Sequence, residues 1–251
     1  METQVERNLK PKSAPKSVYR RVASDDGYVE LIDFMGKGDL SVVNAARVSF
    51  GKQKQKLDKN DHKLIQYLAR HKHMSPFRHV QFSFRIHTSE VVCRQLYKHQ
   101  VGCAFTSGEF REAATIWNEI SGRYVQFEPA FHLVANFRPQ HESNRQASKH
   151  GEKITLQEEA QEIYQRSILD SYSNYKKLLE LGVCREQARM VLPVSFMNTL
   201  IWTASLEAVV NFIKLRDHAN AQQEIRNLAL AIKELVLPIC PVSVSALLEE
   251  G

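Results

Sequence analysis

Alternating apolar and polar residues in one segment constrain the fold of this 251-residue chain more than any other feature. The apolar positions are Val80, Phe82, Phe84 and Ile86, and the polar positions are Gln81, Ser83, Arg85 and His87. A period of two is typical of a strand that buries one face. Apolar residues at helical spacing, such as Leu64, Ile65 and Leu68, occur elsewhere. We therefore predict an α+β, helix-rich fold.

Other segments predict further elements of one domain over residues 25–251, preceded by a flexible extension over 1–24. The first predicted element is a strand over Tyr28–Met35. Three helices follow: one from Asp39 or Ser41 to Val48, one that starts at Asp58 or Asn60, and one from Ser89 to His99. We also predict extended chain over 118–128 and a loop over 135–153. Thr155 and Glu158 form a capping-box pattern for a long helix ending near Gly182. A short helix to Leu192 and two helices, over about 206–217 and 220–236, finish the chain. Residues 100–117 fit neither period.

The basic charge is concentrated in two segments. The formal net charge is +6, but residues 1–22 contain six basic against two acidic residues, and residues 51–73 contain seven against two. Residues 74–251 contain equal numbers of both. A basic total favours a nucleic-acid binder, whereas this distribution weakens that interpretation.

Several absences narrow the function classes. The ten glycines form neither a GxGxxG nor a GxxxxGK[ST] pattern, which removes the usual signals of a dinucleotide-binding Rossmann unit and a P-loop. We find no apolar run near the roughly 18 residues of a membrane helix and no secretory signal. The four cysteines are scattered without a CxxC pair, so we expect thiols in a reducing, cytoplasmic setting.

Two polar groups could carry chemistry. Arg94 and Lys98, and likewise Gln95 and His99, stand four residues apart and form adjacent rows on a predicted helix; a solvated helix face produces the same pattern. Ser121, the Gly122 amide and Arg123 offer a set of donors suited to a phosphate monoester. The structural alternative for this second group is a turn with a capping serine.

Two arginines occur in apolar surroundings. Arg189 lies in the segment VCREQARMVLP, where a guanidinium needs an anionic partner, either a carboxylate or a ligand phosphate. Arg216 ends another apolar run, where it could also be a cation at a helix C-terminus.

Cys103 follows His99 by four residues, but no third orienting residue is evident for a nucleophilic pair. The histidines show neither HxxxH nor HExxH spacing, so we predict no metal site.

Six segments, in order, resemble the flavin-dependent thymidylate synthase (ThyX) family. They are VELIDFMGKGDLSVVNAARVSF (29–50), LIQYLARHKHMSPFRHVQFSF (64–84), RQLYKHQ (94–100), NEISGRY (118–124), GVCREQARMVLP (182–193) and NFIKLR (211–216). The resemblance implies a helix-rich fold with a central antiparallel sheet, assembled as a homotetramer with shared active sites. It also implies reductive methylation of dUMP to dTMP with FAD, methylenetetrahydrofolate and NADPH.

The resemblance also assigns roles to individual residues. The positions matched to dUMP binding are Gln95, Lys98, Glu119, Ser121, Gly122, Arg123 and Arg189. Ser121, Arg123 and Arg189 among them would hold the phosphate, and Arg216 matches the arginine that contacts uracil and favours ionisation at N3. The positions matched to the flavin site are Ser49, Ser75, His99, Gln100 and Asn211.

The sequence departs from the family mainly on the flavin side. Lys98-His99-Gln100 stands in place of Arg-His-Arg, and about a dozen extra residues lie within 101–117. Arg78 replaces a usual glutamate, Ser205 and Glu207 replace an Asn-x-Arg pair, and Asn220 replaces a histidine. Arg78 and Glu207 could be reciprocal exchanges that keep a salt bridge with reversed polarity.

Two alternatives follow from these departures. A chain that keeps the dUMP set but loses flavin contacts could be a folate-dependent pyrimidine-nucleotide hydroxymethylase, in which water captures the methylene group. A nucleotide- or nucleic-acid-binding protein on the same scaffold, assisted by the basic extension, is the non-enzymatic alternative.

Overall fold

An antiparallel sheet with five strands organises the molecule. The computed structural model describes residues 19–21, 27–100, 104–107, 110–113 and 116–249, with side chains for 27–100 and 117–249. The sheet strands are β1 (Tyr19–Arg21), β2 (Tyr28–Met35), β3 (Gln81–Ser89), β6 (Ile116–Glu119) and β7 (Met197–Ser205). Their order is β1-β2-β3-β7-β6. Every neighbouring pair is antiparallel, which confirms the predicted sheet type.

Helices occupy most of the remaining described chain. They are α1 (Asp39–Arg47), α2 (Lys59–Arg70), α3 (Glu90–Leu96), α4 (Gln157–Glu180), α5 (Arg185–Ala188), α6 (Leu206–Arg216), α7 (Gln223–Val236) and α8 (Pro241–Glu249). Short 3₁₀ turns cover Val48–Phe50, Ser75–His79 and Arg189–Val191. Within the described ranges, no helix is long and apolar enough to cross a membrane.

The central strands carry the main core. Phe82, Phe84 and Ile86 of β3 are fully buried, as their alternation predicts, and Arg85 is exposed. Trp202 of β7 is also fully buried, and its ring stacks on Trp117 of β6 with centroids 5.0 Å apart. Burial of such large side chains supplies much of the apolar driving force for folding. A second, smaller cluster under α4 contains Phe131, Ile168, Tyr172, Tyr175, Ala188 and Phe196.

Several sequence predictions need correction at element boundaries. The helix after Ser89 ends at Leu96 rather than His99, and the chain turns after Glu119 instead of remaining extended to 128. The sequence prediction omitted strand β7 and the final helix α8.

The capping box predicted at Thr155 and Glu158 is also wrong. Leu156 is the N-cap of α4, without a side-chain cap hydrogen bond. Gln157 fastens the helix start instead, because its amide accepts from the Phe137 N–H (2.9 Å) and donates to the Phe137 carbonyl (2.7 Å). At the other end, Gly182 has φ +86°, the left-handed conformation expected of a glycine after a helix.

The extra residues before NEISGRY include a small hairpin. Strands β4 (Ala104–Ser107) and β5 (Phe110–Ala113) pair antiparallel in a separate two-stranded sheet. Cys103 and the predicted extension over 1–24, except Tyr19–Arg21, lie outside the described residues.

Candidate active site

The turn after β6 presents the predicted phosphate donors. The Tyr124 N–H donates to the Ser121 carbonyl (3.0 Å), and the Arg123 N–H donates to Ser121 Oγ (3.3 Å). Gly122 is buried beneath this turn, and a Cβ there would lie 2.2 Å from Cε2 of Phe127. The packed ring therefore requires glycine, and the turn brings Ser121 and Arg123 together at the surface.

Glu119 is held beside this turn by two neighbours. Its Oε2 accepts hydrogen bonds from the Tyr97 hydroxyl and from Asn198 Nδ2, the latter at 3.2 Å. Burial raises the pKa of Tyr97, and the hydrogen bond to Glu119 raises it further, so the phenol remains a donor. These contacts fix one carboxylate oxygen and orient the other.

Glu119 and Arg189 line one cavity of about 380 Å³. The other polar lining residues are Glu90, Arg94, Glu186 and Asn198. Arg189 lies half-buried in its 3₁₀ turn and, within the described part of the chain, has no carboxylate in ion-pair range. The anionic partner that the sequence requires for Arg189 is therefore not an internal carboxylate of the described chain.

Arg123 lines a neighbouring cavity that shares Glu186 with this one, and its ion-pair partner is weak. Its Nε is 3.7 Å from Glu186 Oε2, and both side chains are more than half exposed. Such solvated pairs contribute little to stability, whereas a guanidinium binds phosphate through two parallel hydrogen bonds. A phosphate can therefore displace this contact readily.

The polar residues predicted on one helix face near the end of α3 lie in two different environments. Gln95 is half-buried and donates through Nε2 to Gln222 Oε1 at 2.6 Å, just before α7. Lys98 lies beyond the helix end and is exposed. The solvated-face interpretation thus fits Lys98 but not Gln95.

His99 and Arg216 form a direct contact that was not predicted. Arg216 Nε donates to His99 Nε2 at 2.8 Å, and the histidine ring packs edge-on against Phe212 with centroids 5.0 Å apart. Burial, reinforced by the Arg216 charge, lowers the pKa of His99 to about 4. Neutral His99 keeps the lone pair that accepts this hydrogen bond. Burial lowers the pKa of Arg216 as well.

The remaining residues predicted for the flavin site are distributed over several elements. Ser49, Ser75 and Gln100 are exposed, and Gln100 Nε2 donates to the Tyr97 carbonyl at 3.3 Å. Asn211 lies half-buried on α6 and lines a second cavity with Glu207. Asn211 and Glu207 lie together in this cavity, whereas Ser49, Ser75 and Gln100 are not among its lining residues.

The reciprocal exchange hypothesised from the sequence exists as a salt bridge. Arg78 Nε contacts Glu207 Oε2, and Nη2 donates to Oε1 at 3.3 Å. Glu207 is only 8% exposed, so its charge is compensated inside the fold. Ser205, the neighbouring departure, accepts from the Ala208 N–H (3.2 Å) and caps α6.

Sequence reasoning missed the residues that support the site. They are Tyr97, Phe127, Glu186, Asn198 and Gln222. Tyr97 lies inside the matched segment RQLYKHQ, and this position could have indicated its role. Gln222 contacts Gln95 across 127 positions, and no local pattern indicates such a pair.

Comparisons with known proteins show which family the chain resembles. The family model described as "Thymidylate synthase complementing protein" (Thy1) matches residues 30–242. A flavin-dependent thymidylate synthase of Thermosipho melanesiensis is 39% identical over 86% of this chain and 88% of that relative. The corresponding enzyme of Thermus thermophilus is 39% identical over 88% of this chain and 76% of that relative.

The chain belongs to the flavin-dependent thymidylate synthase family. The resemblance carried by the six sequence segments is thereby confirmed. A solved structure of the same fold is the UMP/dUMP methylase PolB of Streptomyces cacaoi with 5-Br dUMP, which has 28% identity and a TM-score of 0.74. That match covers 88% of this chain and 94% of PolB. PolB has also been solved with 5-Br UMP.

Proposed function

We propose that this chain methylates dUMP at C5 to give dTMP, with a flavin, methylenetetrahydrofolate and NADPH. The observation that carries the proposal is a pair of guanidiniums beside the Ser121 turn that lack a strong partner. Arg123 forms only an exposed ion pair at 3.7 Å, and Arg189 forms none within the described residues. The reaction consumes one methylene group, one hydride and one proton, and it releases tetrahydrofolate and NADP⁺. Family membership supports this chemistry over other nucleotide reactions.

Substrate binding rests on charge-assisted hydrogen bonds. Ser121, Arg123 and Arg189 would hold the phosphate, with the buried Gly122 letting the turn approach closely. Gln95, Lys98 and Glu119 would contact the rest of the nucleotide. Tyr97 and Asn198 fix one oxygen of Glu119, so the other oxygen is positioned for substrate before binding.

Arg216 is the residue proposed to act on the uracil ring. Its Nε donates to His99, and within the described chain its two Nη groups have no hydrogen-bond partner. A cation beside the ring favours the ionised form at N3 and thereby raises electron density at C5. Neutral His99 orients the guanidinium without adding a second positive charge.

The side-chain types of the residues assigned to the flavin are chemically suited to it. A buried neutral imidazole, a half-buried amide at Asn211 and hydroxyls at Ser49 and Ser75 supply both donors and acceptors, with Gln100 as a further amide. Arg78 neutralises the carboxylate of Glu207, so that exchange does not place an uncompensated negative charge near an anionic cofactor. When bound, the flavin supplies the hydride, and NADPH restores its reduced form.

Assembly into a homotetramer with shared sites completes the proposal. Large apolar side chains lie exposed beside the phosphate donors, including Tyr124 (76%) and Met190 (78%). Exposed apolar patches around a site are typical of surfaces that another subunit covers. Light scattering of the purified protein would measure the subunit number.

Product analysis tests the function. Purified protein with dUMP, methylenetetrahydrofolate, FAD and NADPH should form dTMP, identified by mass spectrometry. Arg189→Ala should raise the KM for dUMP on the order of tenfold to hundredfold, because a hydrogen bond to a charged group is worth about 1.5–3 kcal/mol. The control is Arg166→Ala, an exposed arginine on α4. A hydroxymethyl product would replace this proposal with the hydroxymethylase, and no product from folded protein would reject both.

A further inference from the structure

A series of side-chain hydrogen bonds leads from Gln95 into the interior beside α7. Gln95 Nε2 donates to Gln222 Oε1 at 2.6 Å, and the Gln222 side chain also hydrogen-bonds the carboxylate of Glu224 in the first turn of α7. Arg138 Nη2 donates to both oxygens of that carboxylate, at 3.0 and 3.1 Å. The series thus connects a residue proposed to hold dUMP with the loop over 135–153.

The charged end of this series is enclosed by the fold. Glu224 is only 6% exposed, and Arg138 is also held by Ser148, because its Nε donates to Ser148 Oγ at 3.0 Å. Burial alone would raise the pKa of Glu224, but its own backbone N–H, the Arg138 charge and the hydrogen bonds from Gln222 and Arg138 outweigh burial and lower the pKa. Glu224 is therefore a carboxylate at neutral pH, a group that accepts hydrogen bonds and cannot donate them.

An acceptor-only group at one end of the series determines which way two amides face. A glutamine amide has an oxygen acceptor and an NH₂ donor, and its two orientations have nearly the same shape, so the neighbouring groups decide between them. Gln222 must turn Nε2 toward the Glu224 carboxylate, which leaves its Oε1 for Gln95. Gln95 must then turn its own Nε2 toward Gln222, as observed. The acceptor Oε1 of Gln95 is consequently the amide atom directed away from Gln222.

We propose that Gln222 and Glu224 are positioning residues for dUMP, because they hold the Gln95 amide with its acceptor oxygen toward the nucleotide. This inference rests on the proposed function, in which Gln95 contacts dUMP. An amide whose orientation is set before binding avoids the entropy cost of being fixed by the ligand. Both residues lie outside the six sequence segments that resemble the family, the last of which ends at Arg216. Their role therefore follows from tertiary contacts and not from the resemblance.

The Arg138–Glu224 ion pair also has a structural role that must be separated from positioning. It is buried, so removing either charge should destabilise the fold whatever the effect on dUMP. Gln222 carries no charge and is half-buried, which makes it the better position to change. Gln223 is the matched control, because it is the next residue, is also half-buried and donates through Nε2 to Asn227 Oδ1 at 2.7 Å rather than to a residue proposed to hold substrate.

A double-mutant cycle on dUMP binding tests the inference. Calorimetry would compare wild type, Gln222→Leu, Gln95→Leu and the double variant, each as the full chain with saturating FAD. We expect dUMP affinity to fall roughly threefold to tenfold in Gln222→Leu, because the neutral hydrogen bond that orients Gln95 is lost. In the Gln95→Leu background the same change should have no further effect, because Gln222 acts through Gln95. Gln223→Leu should bind dUMP as wild type does.

Steady-state kinetics and a second variant complete the test. Gln222→Leu should raise the KM for dUMP by the same factor as it lowers the affinity, with kcat little changed. Glu224→Gln keeps the side-chain shape but can donate as well as accept, so it should lower dUMP affinity about threefold or more only when Gln95 is present, with the same loss of stability in both backgrounds. Unchanged dUMP affinity in Gln222→Leu, or an equal loss with and without Gln95, would overturn the inference and leave the proposed function intact. Wild-type protein that binds no dUMP in the presence of FAD would overturn both proposals.

Discussion

Because His99 is buried beside Arg216, the stability of the folded protein depends on pH through this residue. The pKa is about 4 in the folded chain, against about 6.5 in an unfolded one, so below pH 6.5 the unfolded state binds the proton more tightly. The His99 contribution to the free energy of unfolding is therefore fully present above pH 6.5 and is lost as the pH falls toward 4.

Replacing His99 should remove part of the acid sensitivity. We expect the stability of wild type to fall on the order of 2 kcal/mol more between pH 7 and pH 4.5 than that of His99→Gln, measured by urea unfolding. His62→Gln, on an exposed histidine, serves as the control. Equal pH dependence in wild type and His99→Gln would show that His99 is not held neutral by the fold.

A substitution at Gly122 tests how closely the turn that contains Ser121 and Arg123 is packed. A Cβ at this position meets Phe127 at 2.2 Å, and the ring is itself packed on Phe196 with centroids 4.3 Å apart. We expect Gly122→Ala to displace the turn and weaken dUMP binding at least about tenfold, measured by calorimetry. Adding Phe127→Leu should recover part of that affinity. A single variant with unchanged affinity would contradict the requirement for glycine.

At the scale of elements, the Arg78–Glu207 pair joins the Ser75–His79 turn to α6. Glu207 is buried, so Arg78→Glu places two carboxylates together and should destabilise the fold by about 3 kcal/mol. Glu207→Arg should be comparably harmful, whereas the double exchange restores opposite charges. Chemical denaturation of the four proteins gives the coupling energy directly. Additive losses in the double variant would show that the pair does not interact.

The elements also show what the sequence can and cannot predict. Strand β3 was predicted because Phe82, Phe84 and Ile86 alternate cleanly with polar residues. Strand β7 escaped prediction because Ile201 is 40% exposed on the outer face while the polar Asn198 is buried. Its burial pattern depends on the neighbouring strands and on Glu119, which lies 79 positions away. The candidate site behaves in the same way. The hydrogen-bond donors Ser121, Arg123 and Arg189 lie in segments that match the family, whereas partners such as Gln222 reach the site only through the tertiary fold.

At the scale of the whole molecule, the residues proposed for the phosphate and for the uracil belong to different parts of one chain. Arg189 lines the cavity beside Glu119, whereas Arg216 contacts His99 at the end of α6. If subunits share sites, two inactive variants complement each other, because a mixed oligomer contains some sites with neither change. The assay is run at a dUMP concentration well below the raised KM of Arg189→Ala, where each variant alone forms little dTMP. Co-refolding Arg189→Ala and Arg216→Ala in equal amounts should then recover up to roughly a quarter of wild-type dTMP formation. A mixture of Arg189→Ala with Arg123→Ala is the comparison for two residues that line neighbouring cavities sharing Glu186. Absence of recovery in the first mixture, with mixed oligomers verified by mass spectrometry, would place both arginines of a site on the same subunit.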